Sequence, residues 1–522
     1  MASVSPTPSK VSELLAAQWP YVLSTFLAFA AAWLLQSVFK RDPLSSFPMV
    51  GSEIGNADKR RAAFVQGAQN IYLEGYRKFK KGVFRITTSS YHDVVVLDPL
   101  FLTELKNLPD DTVSFGEAVS DFMQTKYTGI RADRPIIPHV VKKDLIPALN
   151  RLNPTIAEEV DQSYREELPP CKDFTPVNIY GKLLRIVAKV SGRIFIGPEL
   201  CRSEKYIDTA ISYTVEVTSA VNAIAGMNFW QRTLKAAAHP NVKAVREREQ
   251  AADAFLRPIV EGRKKAKETD PDFQKPDDLL QWLLDDGQDK FGEKGSKELA
   301  SIQLGLTFAA IHTTSLTATN AFYTLAAMPE IIPELREEIR TVLKEYGTFT
   351  TQALQKMKKL DSFLREVMRV HPLGYSSFRR KVLKTFTLST GQVIPAGCLI
   401  EVPIVGINFD EEMIENPEKF DAFRSYRARE LEGLEGAEKA SAGASNQFVT
   451  VSPANLLFGY GRHACPGRFF AANEIKMIVS RAVLDYDMKM SDGSRERYAN
   501  LSFGGQSVPD PSKELLFRRV GV

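Results

Sequence analysis

The sequence is poor in cysteine, and its four cysteines follow no disulfide pattern. Cys171, Cys201, Cys398 and Cys465 are spread over 522 residues without one C-x-x-C pair. The lack of a dense disulfide framework fits a reducing compartment, in which a free thiolate survives.

An excess of one charge is also missing. The 67 lysine and arginine residues against 63 aspartate and glutamate residues leave a net charge of only +4. This balance excludes a general polyanion-binding role, so no nucleic-acid partner is expected. The chain has no flavin or nicotinamide fingerprint and no internal repeat. A redox reaction would therefore need electrons from another protein.

What is present is a large globular composition. The chain is 44% hydrophobic and 25% charged, and it is long enough to enclose a large buried cofactor.

Near the N-terminus, Tyr21 to Val38 is an apolar stretch without a formal charge, and it lies between Trp19 and Lys40-Arg41. Its length reaches the lower limit for a membrane-spanning helix, and the flanking residues are typical of an anchor. A cleaved signal peptide is the alternative; no basic region directly precedes the stretch, which favours the anchor.

Basic residues follow the stretch, so the positive-inside rule places the rest of the chain in the cytosol. We expect a lumenal tail over residues 1–20, an anchor over 21–38, a proline-bearing hinge over 39–51 and one large globular domain over 52–522.

Within that domain, helical periodicity dominates from Pro138 to about Arg340. The stretch Lys81–Asp98 predicts a hairpin, and Lys384–Val402 has strand character. Gly433–Asn446 is small and polar, which predicts a surface loop. The pattern predicts a mainly α fold with a minor β-sheet region.

The most informative segment is Phe458–Gly467, which reads F-G-Y-G-R-H-A-C-P-G. Gly459 and Gly461 allow a close backbone approach, and Pro466 with the apolar run after it predicts a helix start. Cys465 would then lie at a helix N-terminus, where N–H groups favour thiolate over thiol. A thiolate is the form that binds iron.

This segment resembles the signature F-x-x-G-x-[RH]-x-C-x-G of the cytochrome P450 family of haem-thiolate monooxygenases. The resemblance covers the chain after about residue 40 and implies the cytochrome P450 fold, a single large domain behind the anchor. It also implies a haem b cofactor (iron protoporphyrin IX) with Cys465 as its axial ligand. The signature residues expected at the haem are Phe458, Gly459, Arg462, His463 and Gly467.

The stretch Leu304–Asn320 predicts a long apolar helix with small and hydroxylated residues at its centre. Ala309 and Ala310 would let the flat cofactor approach, and the hydroxyls of Thr313 and Thr314 could bond the carbonyl four residues back and open the helix locally. By the resemblance, Thr313 steadies bound dioxygen and its proton supply. His312 replaces the family's acid; it is either a proton relay or a packed helix residue.

Two further groups follow from the resemblance. Glu366 and Arg369 on one helix face, with Arg424, would form a structural network that holds the ligand loop. His139, Lys143 and Arg380 would contact the haem propionates, with Arg379 as a rival of Arg380. The implied substrate walls are Ser114–Gly129, Phe308–Thr314, Leu373–Phe378 and Ser507–Lys513.

The resemblance implies oxygen insertion into an unactivated C–H bond of a bulky apolar substrate. The A-A-I-H-T-T sequence is similar to that of filamentous-fungal members, including the ent-kaurene oxidase group, so a terpenoid or polyketide intermediate is expected. NADPH would act only through its partner, NADPH-cytochrome P450 reductase, with cytochrome b5 as a further donor. A monomer anchored in the endoplasmic reticulum membrane is expected.

Two alternatives remain open at this point. The first keeps the haem but makes the protein a desaturase, a rearranging enzyme or a multistep oxidase. The second is a non-catalytic, membrane-anchored haem or sterol-binding protein.

Overall fold

The computed structural model describes residues 18–29, 31–32, 42–89, 93–131, 134–289, 291–292, 294–431, 433 and 435–521. The chain divides into two units, Met1–Pro48 and Met49–Val522. In the first unit, residues 18–29 and 31–32 are helical, and Trp19, Tyr21, Phe26 and Phe29 are exposed. The remainder of the predicted anchor, residues 30 and 33–38, and residues 1–17 of the predicted tail lie outside the described residues.

The second unit is mainly helical, as predicted. Its α-helices are α1 (Ala57–Lys78), α2 (Leu102–Leu105), α3 (Phe115–Phe122), α4 (Thr125–Thr128), α5 (Ile136–Val140), α6 (Ile146–Glu167), α7 (Ile179–Phe195), α8 (Glu204–Ala225), α9 (Phe229–Lys235), α10 (Pro240–Thr269), α11 (Leu279–Asp289), α12 (Ser296–Ala327), α13 (Ile332–Tyr346), α14 (Thr351–Lys356), α15 (Lys358–Val370), α16 (Ile404–Asn408), α17 (Arg424–Arg429), α18 (Gly436–Ser445) and α19 (Arg468–Asp485). A π-helical segment, Val141–Leu145, joins α5 to α6. The 3-10 turns are Ser52–Ile54, Pro99–Phe101, Ala236–Ala238, Pro329–Ile331 and Gly461–His463.

The strands are β1 (Val83–Thr87), β2 (Asp93–Leu97), β3 (Val113–Ser114), β4 (Thr175–Val177), β5 (Ser376–Val382), β6 (Phe386–Thr387), β7 (Val393–Ile394), β8 (Leu399–Pro403), β9 (Tyr486–Met490), β10 (Asn500–Phe503), β11 (Gln506–Pro509) and β12 (Leu515–Arg519). One sheet has the order β1-β2-β8-β5-β3, and a second has the order β4-β12-β9. Two-stranded ladders pair β10 with β11 and β6 with β7.

The predicted hairpin is confirmed: β1 and β2 are antiparallel, with Val83 opposite Leu97 and Thr87 opposite Asp93. The strand character of Lys384–Val402 is confirmed by β6, β7 and all but the last residue of β8. The sheet that contains β1 and β2 also contains β5, the strand that carries Arg379 and Arg380.

Helix α12 is the central helix of the core, and it packs against α7, α10 and α19. It is apolar around most of its circumference, which is typical of a helix buried on all sides. Among the described residues it is also the one helix long and apolar enough to cross a membrane, and over half of its most apolar stretch is buried. Its burial is that of a core helix.

The predicted surface loop over Gly433–Asn446 is wrong in part. Residues Gly436–Ser445 form α18, an exposed helix. Alanine, glutamate and lysine in A-E-K-A-S-A have high helix propensity, which outweighs the glycine and serine around them. The segment lies on the surface as predicted, but as a helix.

Candidate active site

The Cys465 loop, residues Phe458–Gly467, folds back so that its cysteine lies beside its first residue. The backbone N–H of Cys465 donates to the Phe458 carbonyl at 2.8 Å. Gly459 and Gly461 have φ angles of 77° and 70°, a region that residues with a side chain adopt only at a cost. A Cβ atom on Gly459 would also lie 3.4 Å from the Ala464 Cα atom. The two glycines are therefore required by the turn itself.

Helix α19 begins just after the loop, with Gly467 as its N-cap. Burial raises the pKa of Cys465, and the backbone N–H groups of Gly467 and Arg468 together with the Arg468 charge offset this only in part. The net direction is opposite to the prediction from the helix start. Desolvation of a half-buried sulfur outweighs two peptide dipoles, and a bound metal cation would supply the missing positive charge.

The opposite wall of the site is the middle of α12. Ala309 and Thr313 are exposed one turn apart, whereas Ile311 and Thr314 are buried and Ala310 is half-buried. The Thr313 Oγ1 atom donates to the Ala309 carbonyl at 2.7 Å, the bond predicted for this hydroxyl. The helix continues without interruption through this position, so the predicted local opening is absent. The Thr313 hydroxyl, which reaches the carbonyls of Ala309 and Ala310, does not break the backbone hydrogen bonds of the helix.

His312 faces away from the side on which Thr313 is exposed. Its Nε2 atom lies 2.9 Å from the Ile211 carbonyl and its Nδ1 atom 3.4 Å from the Tyr180 hydroxyl. Burial lowers the pKa of His312, and the bond to Ile211 offsets this only in part. Nε2 therefore carries the proton and Nδ1 accepts from Tyr180. Of the two interpretations offered by the sequence, this geometry is that of a packed helix residue.

Arg379 and Arg380 differ sharply in their partners. Arg379 donates to the buried Glu401 carboxylate at 2.9 and 3.1 Å. Arg380 is only 5% exposed, and within the described part of the chain no carboxylate lies in ion-pair range of it. Burial, together with the nearby Arg462 charge, lowers the pKa of Arg380 to about 10. Arg380 is a buried cation that lacks an anion, the arrangement expected of a propionate-binding residue.

A bulge in β5 produces this difference. The register of β5 against β8 shifts between Ser377 and Arg380, and Phe378 has a φ of 53°. Such strain in a residue other than glycine clusters at functional sites. The bulge places the Arg380 guanidinium over the Phe378 ring at 4.2 Å.

Phe115, at the start of α3, links Arg380 to the Cys465 loop. Its ring lies 5.1 Å from the Arg380 guanidinium and stacks on the His463 ring at 5.0 Å. His463 and Arg462 both contact Asp110, at 3.2 and 2.9 Å. The sequence analysis included Phe115 only within the implied substrate wall Ser114–Gly129, because nothing near it in the chain signals its stacking partner His463.

The predicted pair His139 and Lys143 spans an irregular helix. His139 lies in the last turn of α5, and its ring packs edge-on against the Phe291 ring at a centroid distance of 5.2 Å. Lys143 lies in the π-helical segment Val141–Leu145. Single π turns within helices are frequent at functional sites, and the sequence carries no signal of this one.

Glu366, Arg369 and Arg424 meet as predicted. Arg369 holds both oxygens of the buried Glu366 carboxylate at 2.9 and 2.8 Å, and Arg424 Nε donates to the same carboxylate at 3.2 Å. Arg369 also donates to the carbonyls of Asn408 and Pro417 at 2.7 and 2.8 Å. The group fastens α15 to the segment before α17.

These features fit a flat, dianionic group with a central metal. Cys465 is partly accessible, and a Cβ atom on Gly467 would meet nothing within 4 Å. Ala309 and Thr313 leave an exposed strip on the largely buried middle of α12. The unpaired Arg380 charge would be balanced by a carboxylate. The residues present suit a haem.

The chain matches a known protein family over most of its length. The family model described as "Cytochrome P450" matches residues 72–517. The chain is 40% identical to cytochrome P450 monooxygenase ATR3 of Stachybotrys chlorohalonatus over 82% of this chain and 89% of that protein. It is 35% identical to cytochrome P450 monooxygenase paxP of Penicillium paxilli over 88% of this chain and 87% of that protein.

A solved structure shares the fold. The retinoic acid-bound cyanobacterial CYP120A1 has a TM-score of 0.64 and 18% identity, with 88% of this chain and 96% of that chain covered. At this identity the likeness concerns the fold alone.

Proposed function

The chain belongs to the cytochrome P450 family, and on that premise we propose that Cys465 is the thiolate ligand of its haem iron. The protein is a cytochrome P450 monooxygenase that acts on apolar substrates, with a cysteine-ligated haem and a separate redox partner. The observation that carries the ligand proposal is the Cys465 loop, in which two glycines with positive φ and the bond from the Cys465 N–H to the Phe458 carbonyl place a partly accessible cysteine at the start of α19.

When bound, the haem supplies dioxygen activation and hydrogen abstraction from an unactivated C–H bond. The roles of the side chains follow from their contacts. Arg380 and His463, joined through the Phe115 ring, would bind the propionates. Ala309 has no side chain beyond Cβ and leaves room for the flat ring.

Thr313 would handle the proton on the oxygen side. Its hydroxyl proton is committed to the Ala309 carbonyl, so Oγ1 presents lone pairs to the open side of α12. There it would accept a hydrogen bond from water or from a protonated ligand and hold that proton in place. His312 is committed to Ile211 and Tyr180, so its role would be to fix α12 against α7 and α8.

The substrate would be a bulky terpenoid or polyketide intermediate of fungal secondary metabolism. Two relatives that support this class are fungal monooxygenases. The exposed strip of α12 offers a small residue and one hydroxyl rather than charges, which suits a substrate held by shape.

The ligand proposal is tested with Cys465→Ala. We expect haem content to fall and the reduced-CO band characteristic of thiolate ligation to disappear, whereas Cys398→Ala keeps the band. Cys398 is the matched control, since it is a buried cysteine outside the loop. A thiolate band that survives in Cys465→Ala would overturn the assignment. Product analysis under labelled dioxygen then separates hydroxylation, which incorporates oxygen, from desaturation.

We also propose that residues 21–38 anchor a monomer in the endoplasmic reticulum membrane. The catalytic domain would then face the cytosol, where NADPH-cytochrome P450 reductase supplies electrons. The exposed apolar residues of the described helix, among them Tyr21, Phe26 and Phe29, support this. A chain without residues 1–41 should lose most of its membrane association and keep its reduced-CO band. Equal membrane association of both chains would contradict the anchor.

A further inference from the structure

A second buried ion network lies on α15, at Asp361, on the N-terminal side of Glu366. Asp361 is 5% exposed and accepts from three donors that are far apart in sequence. Lys476 Nζ lies 2.5 Å from its Oδ1 atom, the Phe448 backbone N–H donates to Oδ2 at 2.8 Å, and Arg429 Nη2 donates to Oδ2 as well.

The single Asp361 carboxylate in this network faces two cations, Lys476 and Arg429. Burial alone would raise the pKa of Asp361, but the Lys476 and Arg429 charges reverse this, and its pKa is lowered. Lys476 also donates to the Leu354 carbonyl at 3.0 Å, and Arg429 to the Asn446 carbonyl at 3.0 Å. Removal of the aspartate charge would leave two buried cations without an anion, a strongly unfavourable state.

Two of the three donors lead to the two ends of the Cys465 loop. The Phe448 ring packs edge-on against the Phe458 ring at a centroid distance of 5.5 Å. Phe458 is the first residue of the loop, and its carbonyl accepts the Cys465 N–H. Lys476 lies on α19, the helix that continues from the last residue of the loop.

The Glu366 network is placed differently. Its partners are Asp421 and the carbonyls of Asn408, Glu415, Asn416, Pro417 and Lys419. No partner of Glu366, Arg369 or Arg424 in the described part of the chain belongs to the Cys465 loop. Asp361, in contrast, contacts residues on both flanks of this loop.

We propose that Asp361 is a positioning residue that braces the Cys465 loop at both ends and so keeps the sulfur aimed at the haem iron. The inference rests on the proposed ligand role of Cys465. One carboxylate fixes the entry to the loop through Phe448 and the exit through Lys476. The position of the loop relative to α15 and α19 is thereby fixed. Asp361 does this without contacting the haem.

The test compares Asp361→Asn with Asp278→Asn. Asp278 is an equally buried aspartate that accepts from Arg263 at 2.7 and 2.6 Å and from the Gln281 N–H at 2.8 Å, and these partners lie on other elements than the Cys465 loop. Each haem-loaded variant is held at a temperature that lies the same number of degrees below its own Tm. The thiolate band of the reduced-CO form is then followed over time. We expect Asp361→Asn to lose the band at least about tenfold faster than Asp278→Asn, although secondary structure is retained in both.

Two milder variants cover the case in which Asp361→Asn does not fold. Lys476→Met cuts the brace on the α19 side, and Phe448→Leu cuts it at Phe458. Each should also lose the thiolate band faster than Asp278→Asn at matched stability. If all the variants that fold keep pace with Asp278→Asn, Asp361 is an ordinary structural residue and the inference is wrong.

The same experiment includes Cys465→Ala, which separates the two levels of the argument. If that variant keeps the thiolate band, the ligand assignment fails and the brace fails with it. If it loses the band and the Asp361 variants match the control, only the brace is refuted.

Discussion

Glu474 on α19 is a buried acid that should make stability depend on pH in a defined way. Its side chain is fully buried. Oε1 accepts from Ser191 Oγ at 2.9 Å, and Oε2 has no partner among the described residues. Burial raises the pKa of Glu474 from 4.5 to about 8, and the Ser191 bond offsets this only in part. The native state therefore holds a proton at neutral pH that the unfolded chain has released.

The sign and size of the effect follow from this pKa. Because the folded pKa is raised, the stabilisation is fully present below pH 4.5 and is lost as pH rises towards 8. In that window the free energy of unfolding falls by about 1.4 kcal/mol per pH unit from this group alone. From pH 5 to pH 8 the loss amounts to about 4 kcal/mol.

Glu474→Gln removes the proton linkage and keeps the acceptor for Ser191. The variant should gain on the parent by roughly 1–1.5 °C in Tm per pH unit between pH 5 and 8, since about 1 kcal/mol corresponds to about 1 °C for a chain of this size. Thermal unfolding followed by circular dichroism at a series of pH values measures this difference. The exposed Glu438→Gln is the matched control and should track the parent at every pH.

The test is how the Tm difference between Glu474→Gln and the parent changes with pH, and a constant part of that difference does not bear on it. A constant Tm difference between Glu474→Gln and the parent from pH 5 to pH 8 would show that Glu474 is ionised in the native state. The reasoning from burial would then be refuted.

Three further outcomes are expected. Arg380→Ala should release haem at least about tenfold faster, because a charged hydrogen bond is lost. Arg379→Ala should instead cost about 3 kcal/mol of stability, because it leaves Glu401 without its cation. Equal haem release rates in the two variants would contradict this distinction. Thr313→Ala should keep the reduced-CO band but lower the product formed per oxygen consumed by on the order of tenfold, and unchanged coupling would remove Thr313 from proton handling. Gly461→Ala should cost about 1–2 kcal/mol, because its φ is 70° and the new Cβ would lie 3.2 Å from the Lys106 Cβ atom; unchanged denaturant midpoints would refute this.

Several features could be predicted because they depend on neighbours in sequence. The hairpin Val83–Leu97 follows from alternation around a polar turn. The pairing of Glu366 with Arg369 follows from their spacing on one helix face. The helix α18 was not predicted because glycine and serine in Gly433–Asn446 favour a loop, whereas the alanine, glutamate and lysine residues among them have high helix propensity.

Other features depend on contacts that no local pattern reports. The choice between Arg379 and Arg380 is made by a bulge at Phe378 and by Glu401 on another strand. The orientation of His312 is set by Tyr180 and by the Ile211 carbonyl. Spacing along α12 places His312 beside Thr313, but only the packing of α7 and α8 shows that the two side chains point to different surroundings.

The sequence by itself determined the Cys465 loop, since two glycines with positive φ, a cysteine and a helix start need only their own order in the chain. Only the tertiary structure decided the pKa of Cys465, the neutral state of Glu474 and the three donors around Asp361. The reason is physical: turn geometry is local, whereas desolvation and ion pairing depend on which distant residues the fold brings within a few ångströms.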